Sequence, residues 1–101
     1  MYVNQPDNWI VFYSEEYKIV KVVAGWSGGY LNGDSWRINS GVVRVDDDGN
    51  YYLFHGSSGS VYKCHKEANV VRMNIGSIVS QLEENDAARI IEVDEALELI
   101  D

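Results

Sequence analysis

The sequence predicts an α+β fold: a mostly antiparallel sheet of five to six strands, one helix packed on it, and a short C-terminal helix. Three observations carry this. Through His65 the chain is rich in β-branched and aromatic residues punctuated by glycine. After about Asn69 the apolar residues shift to a helical period. The resulting order is strands, helix, strand, short helix, without the regular βαβ alternation that builds a parallel sheet.

Residues 9–13 (Trp-Ile-Val-Phe-Tyr) read as a first strand and residues 17–26, rich in valine and isoleucine, as a second. Ser14-Glu15-Glu16 between them is not a favoured two-residue turn. Residues 35–39 form a short third strand. Residues 42–46 and 51–55 flank Asp47-Asp48-Gly49-Asn50, the clearest hairpin signal in the chain. Residues 60–65 follow as another strand after the tight link Gly56-Ser57-Ser58-Gly59. Ile75, Ile78, Val79 and Leu82 then fall at i, i+3, i+4 and i+7, one face of a helix. Asn74 is placed to cap that helix and Asn85 or Asp86 to end it. An interior Gly76 weakens it by ~1 kcal/mol relative to alanine. Residues 89–93 read as a last strand, and Asp94 as the cap of a terminal helix that uses Leu97 and Ile100.

Composition bounds the class of protein. The 101 residues are 46% hydrophobic, with sixteen acids against eight bases, a net charge of −8. This is ordinary globular usage for one domain over residues 1–101, and ~100 residues bury roughly 60–70% of their unfolded surface without metal or disulfide staples. The acidic balance argues against direct binding to nucleic acid or anionic membrane, both of which need a basic footprint. The start carries no secretory signal pattern, no apolar run approaches the ~20 residues of a membrane helix, and Cys64 has no partner for a disulfide. A cytoplasmic setting is the expectation.

The charge is unevenly spread. Residues 83–101 hold eight acids (Glu83, Glu84, Asp86, Glu92, Asp94, Glu95, Glu98 and Asp101) against Arg89, a charge of −7. The first 82 residues hold eight acids and seven bases. With Leu82, Ile91, Val93 and Leu97 turned inward, Glu83, Glu84, Glu92, Glu95 and Glu98 are left to solvent, either as a solvated face or as a surface that a basic partner recognises.

The second candidate is the stretch from Gly25 to Trp36, Gly-Trp-Ser-Gly-Gly-Tyr-Leu-Asn-Gly-Asp-Ser-Trp. It lacks the GK[ST] ending of a phosphate-binding loop. Its mixture of Trp and Tyr with Ser, Gly and Asn is that of a paratope. Trp26, Tyr30, Leu31, Asp34 and Trp36 are therefore candidate partner-binding residues; the competing reading is a long hairpin whose tryptophans fold onto the core.

Other constellations fail on chemistry. Aligning the Asp46–Asn50 run with an EF-hand places Arg44 and His55 at the first and twelfth positions, where carboxylates are required. Cys64 and His65 are adjacent on a strand and point to opposite faces, so with His55 they supply at most two ligands to one ion. The serines among glycines at 57–60 run strand to strand and do not form a nucleophile elbow. Neither a catalytic constellation nor a metal or cofactor site is expected.

Chains of this size, acidity and architecture resemble the anti-CRISPR and anti-restriction proteins of phages, and the immunity proteins that neutralise toxic nucleases. The resemblance lies in general character over the whole chain and transfers no residue. It implies a small acidic inhibitor that binds a basic host protein, a nuclease or other nucleic-acid-handling protein, with carboxylates standing in for phosphates. The alternatives are an accessory or structural protein that self-associates through its aromatic-rich sheet and, least favoured, an enzyme.

Overall fold

A computed structural model describes residues 3–28 and 33–100. The strands are β1 (Val3–Asn4), β2 (Asn8–Ser14), β3 (Ile19–Trp26), β4 (Ser35–Ile38), β5 (Val42–Asp47), β6 (Tyr51–Gly56), β7 (Val61–His65) and β8 (Ala88–Ile91). Helix α1 (Met73–Glu83) lies between β7 and β8, α2 (Val93–Leu99) follows β8, and one 3₁₀ turn spans Lys66–Ala68.

The α+β class holds, but the strands form two sheets where one was expected. A front sheet has the order β1-β7-β6-β5 and a central sheet the order β4-β3-β2-β8. Every strand pairing is antiparallel except β1 with β7. The two-residue β1 had no sequence signal, because its pairing with β7 joins residues almost sixty positions apart.

The inner strands of the central sheet, β2 and β3, are buried on both faces. Trp9, Val11, Val20, Val22 and Ala24 pack toward Val42, Phe54, Tyr62 and Cys64 of the front sheet. Ile10, Phe12 and Val23 point the other way, onto Ile75 and Val79 of α1. The order of layers is thus front sheet, central sheet, α1. The unbroken run Trp9-Ile10-Val11-Phe12 is what a strand between two apolar layers needs, since a one-sided strand would alternate. Each such side chain contributes roughly 1.5–3 kcal/mol of burial. Trp9 also donates its indole N–H to the His65 carbonyl at 2.7 Å and packs on Tyr52 and Phe54.

Close approach of α1 depends on Gly25. A Cβ there would stand 2.7 Å from Ile75 Cγ2 and 2.8 Å from the Asn74 amide. Asn74 is therefore not the helix cap that its position suggested. It is buried beneath the first turn and donates to Asn8 Oδ1 at 2.6 Å, while Arg72 occupies the N-cap without a side-chain bond. Gly76 lies inside α1 as expected, and the helix ends at Glu84, just before Asn85.

Other boundaries move by local chemistry. β3 begins at Ile19, two residues later than expected, because Glu15–Lys18 form a four-residue turn with Lys18 at φ 56°. Ser14 holds that turn through Tyr17 N–H to its hydroxyl and Lys18 N–H to its carbonyl. The acidic hairpin forms as expected: Asp47 and Asp48 accept from the Gly49 and Tyr51 backbone N–H groups. At the C-terminal end, β8 stops at Ile91 and α2 starts at Val93, so Glu92 is the N-cap and Asp94 falls in the first turn, making no cap bond. α2 buries Val93 and Ala96, and Leu97, expected inside, is 47% exposed.

Candidate functional site

The pairing of β2 with β8 brings two separate acidic stretches to one end of the molecule. Ser14 lies opposite Ala88, and Glu15 N–H donates to the Ala87 carbonyl at 2.6 Å. The β2–β3 turn, with Glu15 and Glu16, thus sits against the link that carries Glu83, Glu84 and Asp86 from α1 into β8. Sequence reading missed Glu15 and Glu16. Their acidity was visible, but only the β2–β8 register places them beside residues seventy positions away.

Arg89 extends this surface onto α2. Its guanidinium pairs with Glu95 and, at 3.5 Å, with Glu15, and it lies 5.8 Å from the Tyr13 ring. One cation therefore ties the β2–β3 turn, β8 and α2 together, and the carboxylates around it raise its already high pKa, Glu95 foremost. Among the described residues, ion pairs engage only Glu15 and Glu95 of this set. Glu16, Glu83, Glu84, Asp86, Glu92, Asp94 and Glu98 are exposed. Ile90, Leu97 and Leu99 are exposed in the same β8–α2 segment.

The acids do not all have the same relation to the fold. Asp94 and Glu95 occupy the first turn of α2, where the helix dipole favours negative charge. Glu83 and Glu84 occupy the last position and C-cap of α1, where it disfavours them, and no basic residue balances that turn.

The aromatic stretch is divided by its own register. Trp26 pairs with Ser35 and Gly25 with Trp36, so the tryptophans leave opposite faces of the central sheet. Trp26 turns toward the front sheet, packs on the main core and donates its indole N–H to the Gln5 carbonyl at 3.1 Å. Trp36 is on the α1 face and 46% exposed. Asp34 is exposed beside β4. Tyr30 and Leu31 lie outside the described residues. The competing core reading thus describes Trp26, while Trp36 remains open.

The remaining chemistry-bearing residues are held by structural bonds. Cys64 is buried and His65 faces the other side of β7, as strand alternation requires. Burial pushes the Cys64 thiol far above its ordinary range, so it is not a nucleophile at neutral pH. His55, opposite Val61, meets neither. Its Nε2 lies 2.9 Å from Asp46 Oδ2, which also accepts from Arg44 at 2.7 Å. The Arg44 guanidinium and then the imidazole hold the Asp46 carboxyl below its usual range. Lys66, followed by the Gly49 N–H, does the same for Asp47. Among the described residues no group of three or more His, Cys, Asp or Glu side chains converges to hold a metal ion, and no helix is long and apolar enough to cross a membrane.

No protein family, curated protein sequence or solved structure matches the chain.

Proposed function

We propose that this protein is a cytoplasmic binding protein that inhibits a basic nucleic-acid-handling protein, such as a nuclease, by covering its positive surface with the acidic end formed by the β2–β3 turn, the end of α1, β8 and α2. The observation that carries this reading is the placement of Glu83 and Glu84. They sit at the negative end of α1, where they oppose folding, and β2–β8 pairing adds Glu15 and Glu16 to the same end. Acids gathered against the electrostatics of the fold are better accounted for by recognition than by stability. Such a surface speeds encounter with a positive groove and competes with nucleic acid for it. The inhibitory act is steric and electrostatic occlusion, with no chemistry performed on the partner. Exposed Leu97 and Leu99 of α2 would supply the desolvated contacts that set the lifetime of the complex.

The test compares the parent with the quadruple variant Glu15→Gln, Glu16→Gln, Glu83→Gln, Glu84→Gln. Each is immobilised and offered the same cell extract at about 50 mM and about 500 mM salt, conditions that span weak and strong screening. The parent should retain basic nucleic-acid-binding proteins at low salt and release them at high salt. The folded variant should retain far less of them. A purified captured protein should lose nucleic acid binding or cleavage when the parent is added. Equal capture by both forms, or undiminished activity of the captured protein, defeats the proposal.

A further inference from the structure

A second surface lies away from the acidic end, where an edge of the front sheet meets an edge of the central sheet. β1 is the outermost strand of one and β4 of the other. Between them is a cleft of about 240 Å³ lined by Val3, Asn4, Gln5, Trp26, Ser35 and Arg37. Asn4 lies opposite Tyr62, whose side chain belongs to the core between the sheets, so the Asn4 amide points into the same inter-sheet space. Ser35 is opposite Trp26 and Arg37 opposite Ala24, and both Trp26 and Ala24 face the front sheet. Their side chains therefore enter the cleft from the other wall.

Among the described residues, two of these groups hold donors that no protein acceptor takes up. Asn4 is only 7% exposed, and among the described residues its amide makes no side-chain hydrogen bond, so its polar atoms meet solvent at the cleft. An occupant that displaces this solvent must offer the amide an acceptor in its place. Among the described residues Arg37 makes no ion pair with a carboxylate; its guanidinium lies 6.0 Å from the centre of the Trp26 ring. In a protein of charge −8, an arginine without a carboxylate partner beside a cleft-facing amide and a hydroxyl is a donor set open to an acceptor.

We infer that the cleft between β1 and β4 is a binding site for a compact carboxylate, in which Arg37, the Asn4 amide and the Ser35 hydroxyl converge as donors on one anionic group beside the Trp26 indole. A planar carboxylate matches the guanidinium fork and carries the single charge that one arginine balances. A dianionic phosphate suits the site less well, because the protein as a whole repels it. The volume lies below that of sites for drug-sized ligands, so the occupant is a small organic acid or the acidic side chain of a peptide.

Nuclear magnetic resonance at constant ionic strength tests the assignment and its two sources. The probes are sodium benzoate against benzamide, and the peptide acetyl-Ala-Glu-Ala-amide against its glutamine counterpart. Readouts are the side-chain resonances of Asn4, Arg37 and the Trp26 indole, with Trp36 as a control on the opposite face and Trp9 as a reporter of the fold. Saturable shifts at the cleft with benzoate assign a free acid, and with the glutamate peptide an acidic side chain; either supports the site. The neutral counterparts, and the exposed-site variant Arg37→Gln, should bind about tenfold or more weakly, the scale of a charge-assisted hydrogen bond. The inference is overturned if neither anion shifts the cleft resonances, if the neutral probes bind equally well, or if Arg37→Gln leaves the affinity unchanged.

Discussion

The two sheets use similar residue types but stand in different surroundings. The central sheet is sealed on one side by the front sheet and on the other by α1, so every residue of β2 but Tyr13 is buried. The front sheet is sealed on one side only. Its outer face carries Arg44, Asp46, Lys63 and the histidines, held by hydrogen bonds and exposed ion pairs that add little net stability. Stability is therefore concentrated in one layer. Surfaces able to accept change, the acidic end and the β1–β4 cleft among them, lie at that layer's margins.

The largest expected break in this contrast is Ile75→Ala, which empties a fully buried site between α1 and the central sheet. It should cost about 2–5 kcal/mol in chemical denaturation, against about 1 kcal/mol or less for Leu53→Ala on the half-buried front-sheet strand β6. Gly25→Ala follows. The added methyl meets Ile75 and Asn74 below 3 Å, so α1 must shift, at a cost of about 1–3 kcal/mol. If Gly25→Ala is neutral, α1 is not seated on the sheet as described.

Titration sharpens the same contrast. Burial raises the pKa of the Cys64 thiol above its ordinary value of about 9. The unfolded thiol releases its proton above about that pH while the folded one keeps it, so this contribution is present below pH 9 and lost as pH rises. Cys64→Ala should flatten the alkaline limb of a stability-against-pH curve. Asp46 and Asp47 behave oppositely. Their folded pKa values are depressed below 3.8, so their contribution is present above that pH and lost as pH falls through the folded values. The double variant Asp46→Asn, Asp47→Asn should flatten the acid limb, and an unchanged limb would show that the front-sheet ion pairs are without effect.

The smallest effects come from the helix ends. Glu83→Lys and Glu84→Lys should each stabilise by roughly 0.3–1 kcal/mol, while Asp94→Asn in the first turn of α2 should destabilise by a comparable amount. A loss of stability in the lysine variants would remove the main support for reading those acids as a recognition surface.

Much of the central sheet was legible because local pattern and burial agree there. The five-residue apolar run from Trp9 and the valines of β3 require strands wherever they are placed, and the 3.6-residue spacing of Ile75, Ile78, Val79 and Leu82 requires a helix. What escaped depends on register. Asn74 has the right chemistry for a cap, but an amide is equally suited to a buried bond with Asn8, and only tertiary contact decides between them. Trp26 and Trp36 look like one cluster until the Gly25–Trp36 pairing sends them to opposite faces. Asn4 and Arg37 belong to sheet edges that no local pattern announces. The C-terminal acids were plain in the sequence, but their union with Glu15 and Glu16 was not.

The place of β8 in the central sheet has a kinetic consequence. β2 completes its hydrogen-bonded surroundings only when residues 88–91 return to it, and its outer face is covered only once α1 has formed. Such long-range closure is slow to form and couples both ends of the described chain into one cooperative step. Until the whole of residues 73–83 leaves the ribosome, Ile10, Phe12 and Val23 have no permanent cover, and a nascent chain stalled before α1 would present a sticky strand pair to its neighbours. Translation must pass residue 91 before β2 is fully paired and covered.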